Sequence, residues 1–161
     1  MAEFCDIYDI HRNKTGRLHE RGKPDMQAGD YLLAVIVWIM NSKNEFLISK
    51  RSESRWKAGM WQSTSGCAIA GDDSLSASLR EVKEELGITL NPTSGRMFKQ
   101  HNKEGLIFDE WLFCQESDIS DVVLQPDETC DVMWASREHI NKLIDENRFI
   151  SGEPPCTINK R

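Results

Sequence analysis

At 161 residues the chain is the size of one compact domain and long enough to bury a core of its own. Its 20 Lys+Arg against 26 Asp+Glu leave a net charge of −6, which excludes loose electrostatic capture of a nucleic-acid polymer or an anionic membrane. The five cysteines, Cys5, Cys67, Cys114, Cys130 and Cys156, are scattered and odd in number, which excludes a disulfide framework or a zinc knuckle and points to reduced thiols in the cytoplasm.

In chain order, Phe4 to Asp9 alternates apolar and polar residues and predicts a short strand. The polar stretch from His11 to Asp30, broken by Gly16, Gly22, Pro24 and Gly29, reads as loops. No basic flank and apolar core of a secretory leader open the chain, and the longest apolar run, Tyr31 to Met40, is too short to span a bilayer. That run is rich in branched side chains, as in a strand buried on both faces, and Asn41 to Asn44 turns into a second strand from Glu45 to Arg51. An irregular segment from Trp56 to Gly66 follows. Leu75, Leu79, Val82 and Leu86 then recur at helical spacing, with Asp73 or Ser74 to cap the start and Gly87 to stop the helix. Leu106 to Cys114 and Thr129 to Trp134 read as strands, and Ser136 to Asn147 as a second helix with Ile140, Leu143 and Ile144 inward. The expected fold class is α/β or α+β with a mixed sheet, as one domain over residues 1–161 with a loose tail from about residue 150.

The chemistry concentrates in the first helix, where Arg80-Glu81-Val82-Lys83-Glu84-Glu85 sets three carboxylates within five residues. Glu81 and Glu84 are three apart and Glu81 and Glu85 four apart, so they share one side of the helix and are expected to converge on one point. Like charges so packed destabilise a bare helix, and a hard divalent cation answers them: magnesium takes one or two carboxylates and completes its shell with waters and phosphate oxygens. Such an ion would neutralise a diphosphate and acidify water, so the reaction class is metal-assisted hydrolysis. The competing reading, a solvated Glu-rich face beside Arg80 and Lys83, is not separable on composition alone.

What separates them is a wider pattern. The stretch from Gly66 to Ile88 resembles the Nudix box, G-x5-E-x7-R-E-U-x-E-E-x-G-U with U a bulky aliphatic residue, at every fixed position but one. Asp72 stands where the family carries Glu. The resemblance implies an α/β/α sandwich with a catalytic loop-helix-loop over 66–88. In it Glu81, Glu84 and Glu85 hold magnesium (or manganese), Arg80 braces the glutamates and Gly66 lends backbone to the metal site. Asp72 would support the site from outside the helix, keeping the charge but losing a methylene of reach. It further implies hydrolysis of a diphosphate linkage in a nucleoside or other small organic diphosphate. The general base would be Glu81, Glu110 or Glu128, and homodimers are common in proteins resembling the family. Arg51, Trp61 and Phe108 are candidates to contact substrate, with Arg55 near the phosphates and Trp56 and Trp111 near the organic part.

The opening Ile7 to Gly16 and the run Trp61-Gln-Ser-Thr-Ser-Gly66 look like the branch that includes isopentenyl-diphosphate isomerase. That enzyme works a cysteine against a glutamate. Here Ser65 occupies the cysteine's place, Cys67 stands where a metal-binding histidine would follow, and Glu110 alone matches the acidic partner. Isomerase activity is therefore the alternative rather than the expectation. A nucleotide-sensing module without catalysis is a second alternative, against which stands the retention of all three helix glutamates.

Overall fold

The computed structural model describes residues 1–156; residues 157–161, the end of the stretch read as a loose tail, lie outside the described residues. Phe4–Tyr8 (β1) and Lys14–Glu20 (β2) form an antiparallel hairpin. Residues 14–20 are thus a strand and not the loop expected of them. Only His19 is buried in β2, so no alternation of apolar side chains marks it, and pairing with β1 makes the strand.

The main sheet has seven strands: Leu32–Met40 (β3), Phe46–Arg51 (β4), Trp61–Gln62 (β5), Thr64–Cys67 (β6), Gly95–Lys103 (β7), Leu106–Cys114 (β8) and Thr129–Ala135 (β9). Their order is β5-β4-β3-β8-β7, with β6 paired to β3 and β9 to β4. β3 runs parallel to β8 from Leu32↔Leu106 to Met40↔Cys114, which explains its continuous apolar character. β3 and β4 meet only at Met40↔Phe46 and then diverge, and β6 takes β4's place beside β3 from Ala34 to Val37.

The segment expected to be irregular therefore contains two short strands, β5 and β6. β7 was not foreseen at all: it has only intermediate and exposed residues, so its sequence carries no inward stripe. It enters the sheet through a two-residue turn at Glu104 and Gly105, whose φ values of 50° and 77° suit a hairpin tight enough to pair Lys103 with Leu106.

One helix covers each face. Ser74–Leu86 (α1) is capped by Asp73, whose side chain accepts from the Ser76 amide, and ends at Gly87 with φ 69°. Val82 and Leu86 are buried against Leu33, Val35, Val37 and Ile39 of β3 and Ile107 and Phe113 of β8, each such side chain contributing about 1.5–3 kcal/mol. Arg137–Asp145 (α2), capped by Ser136, buries Ile140 and Leu143 on the opposite face against Ile36, Trp38, Phe46 and Leu112. The result is an α/β/α sandwich with a mixed sheet. Beyond α2 the chain is tied down as far as it is described: Ile150 N donates to Trp61 O (2.9 Å), Ser63 N to Ser151 Oγ (3.1 Å) and Arg137 Nη1 to Pro154 O (2.8 Å). Pro154 and Pro155 are buried, unlike residues of a loose tail.

Candidate active site

Gly66 of β6 lies under the side chain of Glu81, and a Cβ built at Gly66 would fall on that carboxyl group. Glycine is needed here for close approach, not for backbone conformation. Arg80, one residue earlier on α1, points into the same corner. Its Nε and Nη2 both donate to Asp72 Oδ2 (3.1 and 3.0 Å), Nη2 also donates to Cys67 O (3.1 Å), and Nη1 donates to Glu81 Oε1 (2.9 Å) and Glu84 Oε2 (3.3 Å). One guanidinium thus locks the loop before the helix, the end of β6 and two glutamates together. Asp72 reaches Arg80 because the loop turns tightly, with Asp72 N donating to Ile69 O (3.0 Å).

Glu85 is turned inward. It is 6% exposed, and its Oε2 is buried without a hydrogen-bond partner among the described residues. Burial, reinforced by repulsion from Glu81 and Glu128, pushes its carboxyl up to about 8. Burial also raises Glu81, against the pull of Arg80.

These residues line a cleft of about 510 Å³ at the opening between β3 and β4. Glu81, Glu84, Glu85, Gly66 and Arg80 form one wall. Arg51, Arg55, Gln125 and Glu128 form another, and Glu3 and Arg21 come from the N-terminal hairpin. Arg55 Nη2 pairs with Glu128 Oε2 (3.0 Å), Arg21 pairs with Glu3, and Arg51 Nη1 donates to Gln62 Oε1 (2.9 Å). A cleft with both carboxylates and guanidinium groups can take a divalent cation and a polyanion side by side.

The expectation that the three glutamates converge on one point is not met as the side chains stand. Among the described residues no three acidic, His or Cys side chains gather closely enough to hold a metal ion. The reason is local electrostatics: Arg80 draws Glu81 and Glu84 onto itself, Glu84 is 54% exposed in its side chain, and Glu85 is packed inward.

The structure brings Gly66, Arg80, Glu81, Glu84, Glu85, Arg51 and Glu128 together around the cleft, with Asp72 directly behind Arg80. Trp61 is buried in the core with Ile36 and Ile48. Glu110 and Phe108 lie on β8, two strands in from β6 and outside the cleft's lining. Sequence reasoning did not single out Arg21 and Glu3, which reach the cleft only because the β1–β2 hairpin docks through Tyr8 N to Tyr31 O (2.8 Å) and Ala70 N to Phe4 O (2.7 Å). No local pattern announces them.

The fold and the site define a protein class: a mixed-sheet α/β/α sandwich with an acidic loop-helix-loop at the opening of its sheet. A family description of the NUDIX domain matches residues 30–152, and the chain belongs to that family. It is 33% identical over 150 residues to an uncharacterized Nudix hydrolase of Listeria innocua, covering 92% of this chain and 88% of that one. An isopentenyl-diphosphate Delta-isomerase of Pectobacterium atrosepticum is 27% identical over 121 residues, covering 72% of this chain and 68% of that protein. A crystal structure from Deinococcus radiodurans superposes with a TM-score of 0.76 at 18% identity, covering 93% of both chains, and shares the fold. No helix among the described residues is long and apolar enough to cross a membrane.

Proposed function

We propose that the chain is a divalent-metal-dependent hydrolase of a small organic diphosphate, with magnesium the cation that suits its ligands. Hydrolysis of an acid anhydride is the activity its family carries. The observation that supports the metal is Glu85 Oε2, a buried carboxylate oxygen without a partner among the described residues, beside two further glutamates. Buried acceptors are seldom left unsatisfied, and a hard cation satisfies this one with the chemistry of the donors present. Glu81, Glu84 and Glu85 would hold it, with Gly66 contributing its carbonyl. When bound, the cation supplies positive charge that offsets the diphosphate and acidifies water.

The protein's own groups do the rest. Arg80 sets the direction of Glu81 and Glu84, and Asp72 holds Arg80. Arg21, Arg51 and Arg55 face the cleft from the other side, and guanidinium groups there would orient the phosphates that the cation leaves exposed. The proton of the attacking water goes to a carboxylate within the cleft. Of the three candidate bases Glu81 and Glu128 line it and Glu110 does not.

The test is release of phosphate and diphosphate from nucleotides, sugar nucleotides and isoprenoid diphosphates, with magnesium and then with chelator. Metal-dependent cleavage of one class is expected, and Glu84→Gln should depress it by orders of magnitude with circular dichroism unchanged. Absence of cleavage across the panel, or full activity in Glu84→Gln, would refute the proposal. Rearrangement of isopentenyl diphosphate without cleavage would put the isomerase reading in its place.

A further inference from the structure

The guanidinium groups that line the cleft are not equivalent. Arg21 is paired with Glu3, Arg55 with Glu128, and Arg80 with Asp72, Glu81 and Glu84. Arg51 makes no ion pair among the described residues and is held by two neutral acceptors instead. Its Nε donates to Trp56 O (2.7 Å) and its Nη1 to Gln62 Oε1 (2.9 Å). A guanidinium carries five N–H donors, so the rest of the fork, on Nη1 and Nη2, has no protein partner among the described residues.

The sheet register places Gln62 for this contact. β5 pairs antiparallel with β4, Gln62 opposite Ser49 and Trp61 opposite Lys50. Arg51 lies two residues beyond Ser49, so its side chain leaves the sheet on the same face as Gln62, at a diagonal position that long side chains span. The backbone closes the same corner, with Arg51 N donating to Met60 O (2.9 Å) and Gly59 N to Arg51 O (3.0 Å). Gln62 is 3% exposed, so packing fixes the amide that meets the guanidinium.

We propose that Gln62 is a positioning residue for diphosphate binding, aiming Arg51 into the cleft while leaving its charge uncompensated. This rests on the diphosphate-hydrolase reading. A phosphate that approaches Arg21, Arg55 or Arg80 competes with a carboxylate already bound there. An amide oxygen and a peptide carbonyl fix the direction of Arg51 without adding negative charge to oppose the phosphate. Ordering a long side chain in advance removes a cost that binding would otherwise meet, worth roughly two- to tenfold in affinity. A glutamate at position 62 would hold Arg51 at least as firmly, yet it would cancel the charge that the phosphate needs.

The experiment is calorimetric titration with methylenebisphosphonate, a diphosphate analogue without a cleavable P–O–P linkage, in magnesium. It compares the wild type, Arg51→Ala, Gln62→Met and the double variant, each checked for folding by circular dichroism. Arg51→Ala is expected to weaken binding by about tenfold or more, the worth of a hydrogen bond to a charged group. Gln62→Met keeps the length of the side chain and removes its acceptor, and is expected to weaken binding by about two- to tenfold. In the Arg51→Ala background the same change should do almost nothing, because Gln62 acts through Arg51; a merely structural role would weaken both backgrounds alike. Gln62→Glu keeps the hydrogen bond and should nevertheless bind the analogue less tightly than Gln62→Met, which gives a second variant where Gln62→Met does not fold. Wild-type affinity in Gln62→Met or in Gln62→Glu, or an equal loss in the Arg51→Ala background, would overturn the inference and leave the hydrolase standing. Absence of metal-dependent cleavage by the wild type across the substrate panel would remove that reading and the inference with it.

Discussion

Replacing Gly66 by alanine tests the close packing on which the cleft depends. The backbone of Gly66 is acceptable to any residue, so the substitution acts only through the added methyl, which takes the place of the Glu81 carboxyl carbon and both its oxygens. Glu81 must swing away, which costs about 0.5–1.5 kcal/mol if the side chain is driven off its rotamer. The ion-paired hydrogen bond from Arg80 goes with it, worth about 1.5–3 kcal/mol at a partly buried site. Part of that loss is recovered as Glu81 gains water. A net destabilisation of about 1–3 kcal/mol follows, or a fall in melting temperature of roughly 2–4 °C per kcal/mol for a chain this long. Activity should fall further, by about 100-fold, because a displaced ligand side chain weakens metal binding as well as turnover. Calorimetry and steady-state kinetics on Gly66→Ala, Glu81→Ala and the double variant decide the matter. The double variant should be little worse than Glu81→Ala alone, since truncation removes both the carboxylate and the atoms the new methyl would meet. Wild-type activity and melting temperature in Gly66→Ala, or losses that add fully in the double variant, would refute the reasoning.

The raised Glu85 carboxyl makes stability depend on pH. The unfolded chain loses that proton at the ordinary value, near 4.3, whereas the folded chain holds it to about 8, so the folded state binds more protons in between and stability falls as pH rises across that window. Melting scans in chelator from about pH 5 to about pH 8 should show a decline on the order of a few kcal/mol that Glu85→Gln flattens and magnesium reverses; a melting temperature that climbs with pH in chelator would contradict it. Asp72→Ala strands Arg80 at the loop and should cost about 1–3 kcal/mol in urea unfolding together with activity, while Asp72→Asn keeps the size and recovers only part of both. Arg21→Ala removes a cation from the far wall of the cleft and should raise KM by about tenfold with kcat nearly kept. An effect confined to kcat would place Arg21 elsewhere in the reaction.

How much of this was legible beforehand depended on where the physics is local. α1 announced itself through Leu75, Leu79, Val82 and Leu86, its Asp73 cap and its Gly87 stop, because capping and amphipathic spacing act within a few residues. β3 was readable from its unbroken apolar run, and the acidic constellation from the spacing of Glu81, Glu84 and Glu85 along one helix. β2 and β7 were not readable: both are hairpin or edge strands with mostly exposed side chains, held by partners distant or across a turn. Their polar sequences carry no period for burial to impose.

The sequence by itself determined the two helices, the central strands and the chemical identity of the acidic helix, all of which follow from side chains a turn or less apart. Only the tertiary structure decided what stands opposite that helix. Arg21 and Glu3 enter the cleft through the docking of the first hairpin, and Arg51, Arg55 and Glu128 through the divergence of β4 from β3. It also separated Glu110 from the cleft and set it against Lys99 and His101, and it turned Glu85 inward while Arg80 held Glu81 and Glu84. Contacts between segments tens of residues apart depend on strand order and register, which no short window of sequence encodes, and electrostatics at the site follow from those contacts.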